Sequence, residues 1–484
     1  MTEPTLERHE LSVPGRVGGT GRFQDVRSPF DGELVGRVEL ADAVALEHAL
    51  VVQQELFADR SRWLPPAQRI EILRRTATIM GSRAGDLALL IAREGGKPLT
   101  DARVEVDRAI DGTRYLADEI ARDAGPGIPM GATPPSAGRV AFTLREPIGI
   151  VAAVSAFNHP LNLIVHQVGP ALAAGCPVIV KPAPPTPLSC LAFVGILREA
   201  GLPSEWCIPL PCENDVAEKL VTSDRIAFFS FIGSARVGWK LRSMLAPGVR
   251  CALEHGGAAP LIVDASADLQ AAVPAIIKGG FYHAGQVCVS VQRVYVHRSR
   301  KDELVEALVT EVRALRTGDP TLPQTQVGPL IRPSEVERID EWVREAVASG
   351  ATVASGGKPL PGHCYAPTVL VDPPDDSKLM QLEVFGPVVS VVAFDDLEEA
   401  VSRANGVPWA FQAAVFASDL DRALYVASRL DATGVMVNDH TAFRVDWMPF
   451  GGRRQSGLGL GGLPFTLHDL TQPKMVVVRS PGLA

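Results

Sequence analysis

No two of the seven cysteines in this 484-residue sequence stand in a CxxC spacing. A zinc ribbon and a thioredoxin-type pair are thereby excluded, and so sparse and odd a count fits a reduced, cytoplasmic setting better than a disulfide-stapled one. His363–Cys364 and Cys207/Cys212 have no partners at ligand spacing, so no metal is expected. Positive charge is also short: 47 Lys and Arg stand against 55 Asp and Glu, a net −8, with no basic stripe of the kind a nucleic-acid binder shows. The opening MTEPTLERHE has no apolar stretch, so no signal peptide is expected. Repeats and low-complexity tracts are absent. The one long uncharged run, residues 147–180, carries Asn158, His159, Asn162, His166 and Gln167 and prolines at 160, 170 and 177. Lipid would leave such a backbone unsatisfied, so no membrane span is expected. Two nucleotide-like patterns also fail. Gly457, Gly459 and Gly462 fit GxGxxG but follow no strand and leave no room for a βαβ unit, so they read as a glycine-rich loop; GSARVGWK at 233–240 lacks the GK[ST] ending of a phosphate loop.

What is present is an ordinary globular composition, 46% hydrophobic and 21% charged. The length suits about three units at roughly 150 residues each. Residues 40–121 read as helical: Ile70, Leu73, Ala77, Met80, Ala84, Leu87 and Ile91 recur at helical spacing. A Gly/Pro-rich stretch, 122–138, leads to the apolar alternation 139–144, one arm of a projecting hairpin. From 148 to 245, strands at 148–154, 177–180, 207–210 and 226–231 alternate with helices at 160–174, 188–200, 215–221 and 233–245. Crossovers of that length imply a parallel, doubly wound sheet with ligand at the carboxyl ends of its strands. A second α/β pattern follows, with strands at 261–263, 291–296, 388–394 and 434–438 and helices at 268–279, 302–315, 334–349 and 397–404. A final strand at 475–479 is expected to pair with the hairpin or with a neighbouring subunit.

Six segments carry chemistry: SAFNHPL at 155–161, VKPAPPT at 180–186, LEHGG at 253–257, GQVC at 285–288, EVFGP at 383–387 and PFGGRRQSG at 449–457. Each alone is weak. In this order and at these separations the chain resembles the aldehyde dehydrogenase superfamily over nearly its full length. The resemblance implies an α/β fold: a Rossmann-like NAD(P)-binding domain (1–121 and 145–252), a second α/β catalytic domain (253–440), a small β-hairpin oligomerisation arm (122–144 and 465–484), and a loop (441–464) returning to the active site. It further implies a homodimer or homotetramer.

By that resemblance Cys288 is the nucleophile that forms a thiohemiacetal and then a thioester. A free thiol ionises near pH 8.5, so the site must favour the thiolate or supply a base. Glu254 would be the base for the deacylating water. Asn158 and the Cys288 N–H would form an oxyanion hole. For NAD or NADP, Lys181 would meet the adenosine ribose, and Gly233 and Ser234, opening a helix, the pyrophosphate. Glu383 and Phe385 would hold the nicotinamide ribose and ring, with Phe157 and Pro184 completing the cofactor pocket. CoA-acylating relatives need no water-activating base, so Glu254 favours release of a free acid.

Two departures stand out. Where KPAE is common in the family, this chain reads Lys181-Pro182-Ala183-Pro184. Pro184 can neither bond the ribose hydroxyls nor repel a 2′-phosphate, so NADP should be tolerated and the preference stays open. His159 stands where many relatives have an aromatic, and with Arg108, on a helix expected to begin near Val104, and Arg444 it resembles the branch acting on lactaldehyde and phosphonoacetaldehyde. A small polar aldehyde is then expected, an anionic one if the arginines bind it rather than form structural ion pairs. The alternatives are a semialdehyde or CoA-acylating dehydrogenase and, outside enzymes, a silent binding or structural member of the fold.

Overall fold

A computed structural model describes residues 8–16, 18–122 and 125–483. The first seven residues of the opening lie outside the described residues, as do Asp123, Ala124 and Ala484 of the expected arm.

The first large sheet has six strands. Ile150–Val154, Val178–Lys181 and Cys207–Pro209 run to one side; Ile226–Ile232, Arg250–Glu254 and Gly457–Leu458 run to the other. All pair in parallel except the last. All five residues of Ile150–Val154 are buried. An unbroken apolar run suits a strand with helices over both faces. The helix that follows, Asn162–Ala174, is buried along its whole length and stops at Gly175, whose φ of +87° gives the left-handed cap glycine adopts freely. The strand order reverses between Ile150–Val154 and Ile226–Ile232, so a crevice opens beyond their carboxyl ends.

Seven strands form the second sheet, in the order Thr352–Ser355, Thr368–Val371, Val388–Phe394, Val291–His297, Ala259–Val263, Gln412–Phe416 and Gly434–Val437. Only Thr352–Ser355 is antiparallel to its neighbour.

Three expectations are corrected. Residues 457–458 are not loop but a short strand antiparallel to Arg250–Glu254. The helix of Arg108 begins at Leu99, not near Val104; Gly96, at φ +70°, and Pro98 set its start. The terminal strand begins four residues earlier than expected: Thr471–Arg479 pairs within this chain, along the whole of Arg139–Pro147, with Gly127–Ile128 as a third strand. A three-stranded sheet at the N-terminal end, Arg8–His9, Leu34–Glu39 and Phe23–Arg27, went unforeseen. Among the described residues no helix is long and apolar enough to cross a membrane.

Candidate active site

A cleft of about 830 Å³ lies at the carboxyl ends of the first sheet, and Asn158, Glu254 and Cys288 all line it. Cys288 follows a tight turn, Tyr282–Gly285, in which His283 and Ala284 hold φ values of +48° and +55°. Two successive non-glycine residues in that region are strained and persist only where surrounding contacts impose them. Gln286 is one such contact. Its Oε1 accepts the Ile331 N–H at 3.0 Å and its Nε2 donates to the Pro329 carbonyl at 3.2 Å. Asn158 Nδ2 donates to the Gln286 carbonyl at 2.9 Å, so the end of one sheet is tied to the loop that carries Cys288. Burial pushes the Cys288 thiol up to about 12; Arg444 and its own backbone N–H oppose that, while Glu254 and Glu383 add to it. The same burial disfavours the thiolate.

Glu254 ends its strand. Its carbonyl accepts the Gly233 N–H at 3.1 Å. Its carboxyl lies against Gly461, where a Cβ would collide with Oε1. The glycine-rich segment thus clears space for this side chain, a role its spacing did not reveal. Burial raises the Glu254 pKa, and Arg444 opposes the rise.

The expected cofactor residues line the same cleft. Lys181 is buried at a strand end, and burial lowers its pKa. Ser234 caps the helix Ala235–Arg242, yet its hydroxyl makes no cap hydrogen bond. Gly233 lies where a Cβ would come within 2.8 Å of the Phe231 ring. Pro184 is exposed, and its carbonyl accepts Gln24 Nε2 at 2.5 Å. The Glu383 carboxyl overlies Gly256, where a Cβ would collide with it, and its buried Oε1 has no hydrogen-bond partner. Burial pushes Glu383 up to about 8, against the Gly257 N–H and Arg338. Phe385, at φ +49°, meets Phe157 edge-to-face at 5.8 Å. An orphaned acceptor, a free cap hydroxyl and a glycine cradle are what a dinucleotide ribose and pyrophosphate would fill, so these residues fit the group.

His159, Arg108 and Arg444 also line the cleft. His159 Nε2 shares a hydrogen bond with the Tyr282 hydroxyl at 3.2 Å, and burial together with Lys97 and Arg108 holds its imidazole well below the usual pKa. Arg108 grips Asp446 at two points, Nη2–Oδ1 at 2.6 Å and Nε–Oδ2 at 3.2 Å. Arg444 instead donates from Nη2 to His166 Nδ1 at 3.3 Å and stacks over Phe450 at 3.5 Å, with its Nε buried and unpartnered. Sequence reasoning missed Asp446, Tyr282 and Gln286, and read His166 only as a polar break in an apolar run. A buried His in that run, and an Asp two residues from Arg444, were the available signals.

Residues 17–476 match the model of the aldehyde dehydrogenase family, and the chain belongs to that family. The 3-sulfolactaldehyde dehydrogenase of Priestia megaterium is 40% identical over 482 residues, 99% of this chain and 100% of that one. The structure of aldehyde dehydrogenase 21 from Physcomitrella patens, in complex with the reaction product succinate, superposes with a TM-score of 0.95 at 33% identity, covering 99% of this chain and 100% of the other. That of glyceraldehyde-3-phosphate dehydrogenase from Methanocaldococcus jannaschii, complexed with NADP, gives 0.90 at 32% identity over 95% and 100%.

Proposed function

We propose that the protein oxidises a small polar, anionic aldehyde to its carboxylic acid with NAD or NADP. The observation that carries this is the Asn158–Gln286 hydrogen bond, which brings Asn158 to the Cys288 loop in a cleft that Glu254 also lines. Lys181, Gly233, Ser234, Glu383 and Phe385 would hold the dinucleotide in that cleft, where it would supply the two-electron oxidant. The chain's residues do the rest. Cys288 Sγ bonds the carbonyl carbon as the C=O π bond opens and the thiol proton passes to the new oxygen, giving a thiohemiacetal whose oxygen is held by the Asn158 amide and the Cys288 N–H. Once that carbon has given up its hydride and the oxygen its proton, the group is a thioester. Glu254 takes a proton from water, the water oxygen adds, the C–S bond breaks, and Cys288 recovers its proton.

Asn158→Ala should lower kcat by about 10²–10³-fold with a smaller change in KM, because the donor matters most as charge develops on oxygen. Steady-state kinetics check this; an unchanged kcat would remove Asn158 from the hole.

The names of the relatives support an anionic substrate: one is named for 3-sulfolactaldehyde and another holds succinate. A panel of neutral and anionic aldehydes, each with NAD and with NADP, tests the reading. With no carboxylate at Pro184 to repel a 2′-phosphate, NADP is expected to be used as well, at a kcat/KM well within a thousandfold of that with NAD. A thousandfold NAD preference would sink this, and oxidation confined to neutral aldehydes would sink the anionic reading.

The same reading keeps residues 1–121 and 145–252 as the cofactor domain and 253–440 as the catalytic domain. It makes residues 122–144 and 465–484, which carry most of the paired strands Arg139–Pro147 and Thr471–Arg479, the arm of a homodimer or homotetramer. Val140, Phe142, Leu144 and, paired with Val140, Val478 are exposed on one face of the sheet, Met475 and Val477 on the other. A contiguous apolar face of that kind marks an interface. Sedimentation should therefore find no appreciable monomer at micromolar concentration; a monomer there would discard the arm.

A further inference from the structure

Five side chains from three segments form a network of hydrogen bonds beside the cleft. An arginine only donates, so His166 Nδ1 accepts from Arg444 Nη2 at 3.3 Å. That fixes the tautomer: His166 carries its proton on Nε2 and donates it to Asp446 Oδ1 at 2.7 Å. Asn162 Nδ2 donates to the same oxygen at 3.3 Å. His166 is therefore neutral, and it holds Arg444 without cancelling its charge. The same Asp446 carboxylate takes Arg108 at two points, 2.6 and 3.2 Å. Arg444 Nε stands 4.0 Å from Asp446, beyond hydrogen-bond reach, and is buried with no hydrogen-bond partner. Glu254 also acts electrostatically on Arg444, but it sits against Gly461 and presents the same charge to every substrate.

We propose that Asp446 sets the charge of the aldehyde this cleft selects: by occupying Arg108 and leaving Arg444 free of a hydrogen-bonded carboxylate, it favours substrates carrying one negative charge, a sulfonate or carboxylate, over phosphate dianions. Asp446 and His166 are positioning residues and Arg444 is the anion contact. A sulfonate or carboxylate can take two N–H bonds from one guanidinium. A dianion in the same place keeps one charge uncompensated, near the Asp446 carboxylate and away from water. The inference rests on the anionic-aldehyde reading above and adds the number of charges.

The test measures kcat/KM at pH 8 for three 2-hydroxypropanals whose third carbon bears hydrogen, sulfonate or phosphate; the second phosphate ionisation, near 6, is then complete. The sulfonate is expected to exceed both others by about tenfold or more. Asp446→Asn frees Arg108 and should raise the phosphate-to-sulfonate ratio about tenfold, through KM rather than kcat. Arg444→Gln should erase the advantage of sulfonate over hydrogen. A wild-type enzyme that prefers phosphate to sulfonate overturns the charge count while leaving the anionic reading standing. One that prefers the hydrogen-bearing aldehyde overturns both. Should Asp446→Asn fail to fold, the wild-type ratio decides alone.

Discussion

Replacing Cys288 by alanine should abolish turnover, a loss of about 10⁴–10⁶-fold in kcat, with folding intact. Among the described residues, Cys288 is the one cysteine that lines the cleft. Of the seven free cysteines, five are buried; only Cys251 and Cys288 are partly open to solvent. Iodoacetamide should therefore label two positions in the native protein and one in Cys288→Ala. The labelling rate at Cys288 should climb with pH beyond 9, because burial pushes that thiol up to about 12 and only the thiolate reacts. Loss of one small side chain from a site already partly open should cost only about 1 kcal/mol of stability, read by thermal melting. Activity in Cys288→Ala within tenfold of the parent would end the thioester mechanism.

Why these residues were legible, and others not, follows from the range over which each signal acts. The strand at 148–154 announces itself by an unbroken apolar run, and the helix after it by length and flanking glycine; both are local. Asn158, Glu254 and Cys288 sit in short motifs, and the structure sets all three along one cleft. Arg108 and Asp446 are paired across 338 positions, and His166 and Asp446 across 280. Nothing in a window of twenty residues encodes such a meeting, so whether Arg108 was an anion contact or half of an ion pair stayed open. The strand Gln412–Phe416 was missed because five residues enclosed by the second sheet carry no alternation. Gly461 was not singled out within the glycine-rich loop because a glycine's value there is the space it leaves for Glu254, which only packing reveals. Residues 457–458 became strand for a similar reason: their partner, Arg250–Glu254, lies some two hundred positions away.

Glu254→Gln should divide the reaction in two. The amide keeps the shape and cannot accept a proton, so release of acid should slow by about 10²–10⁴-fold. Acylation should survive, giving one equivalent of reduced cofactor per site in a rapid burst and then a stall. Intact-mass measurement of the stalled enzyme should find the acyl group on Cys288. Loss of the burst itself would mean that Glu254 also deprotonates the thiol, which burial leaves protonated at neutral pH. The pH profile gives an independent check. Only the carboxylate form can act as base. Burial raises the Glu254 pKa, so wild-type turnover should rise with pH through that raised value rather than through the ordinary carboxylate range, and the limb should vanish in Glu254→Gln. Added CoA or another thiol should restore turnover to the stalled variant, since a thiolate attacks a thioester without a base to activate it. If CoA accelerates the wild-type enzyme as strongly and the product is an acyl-CoA, the hydrolytic reading gives way to the acylating one. An unchanged acid yield without the burst phase would instead place the deacylating base elsewhere in the cleft.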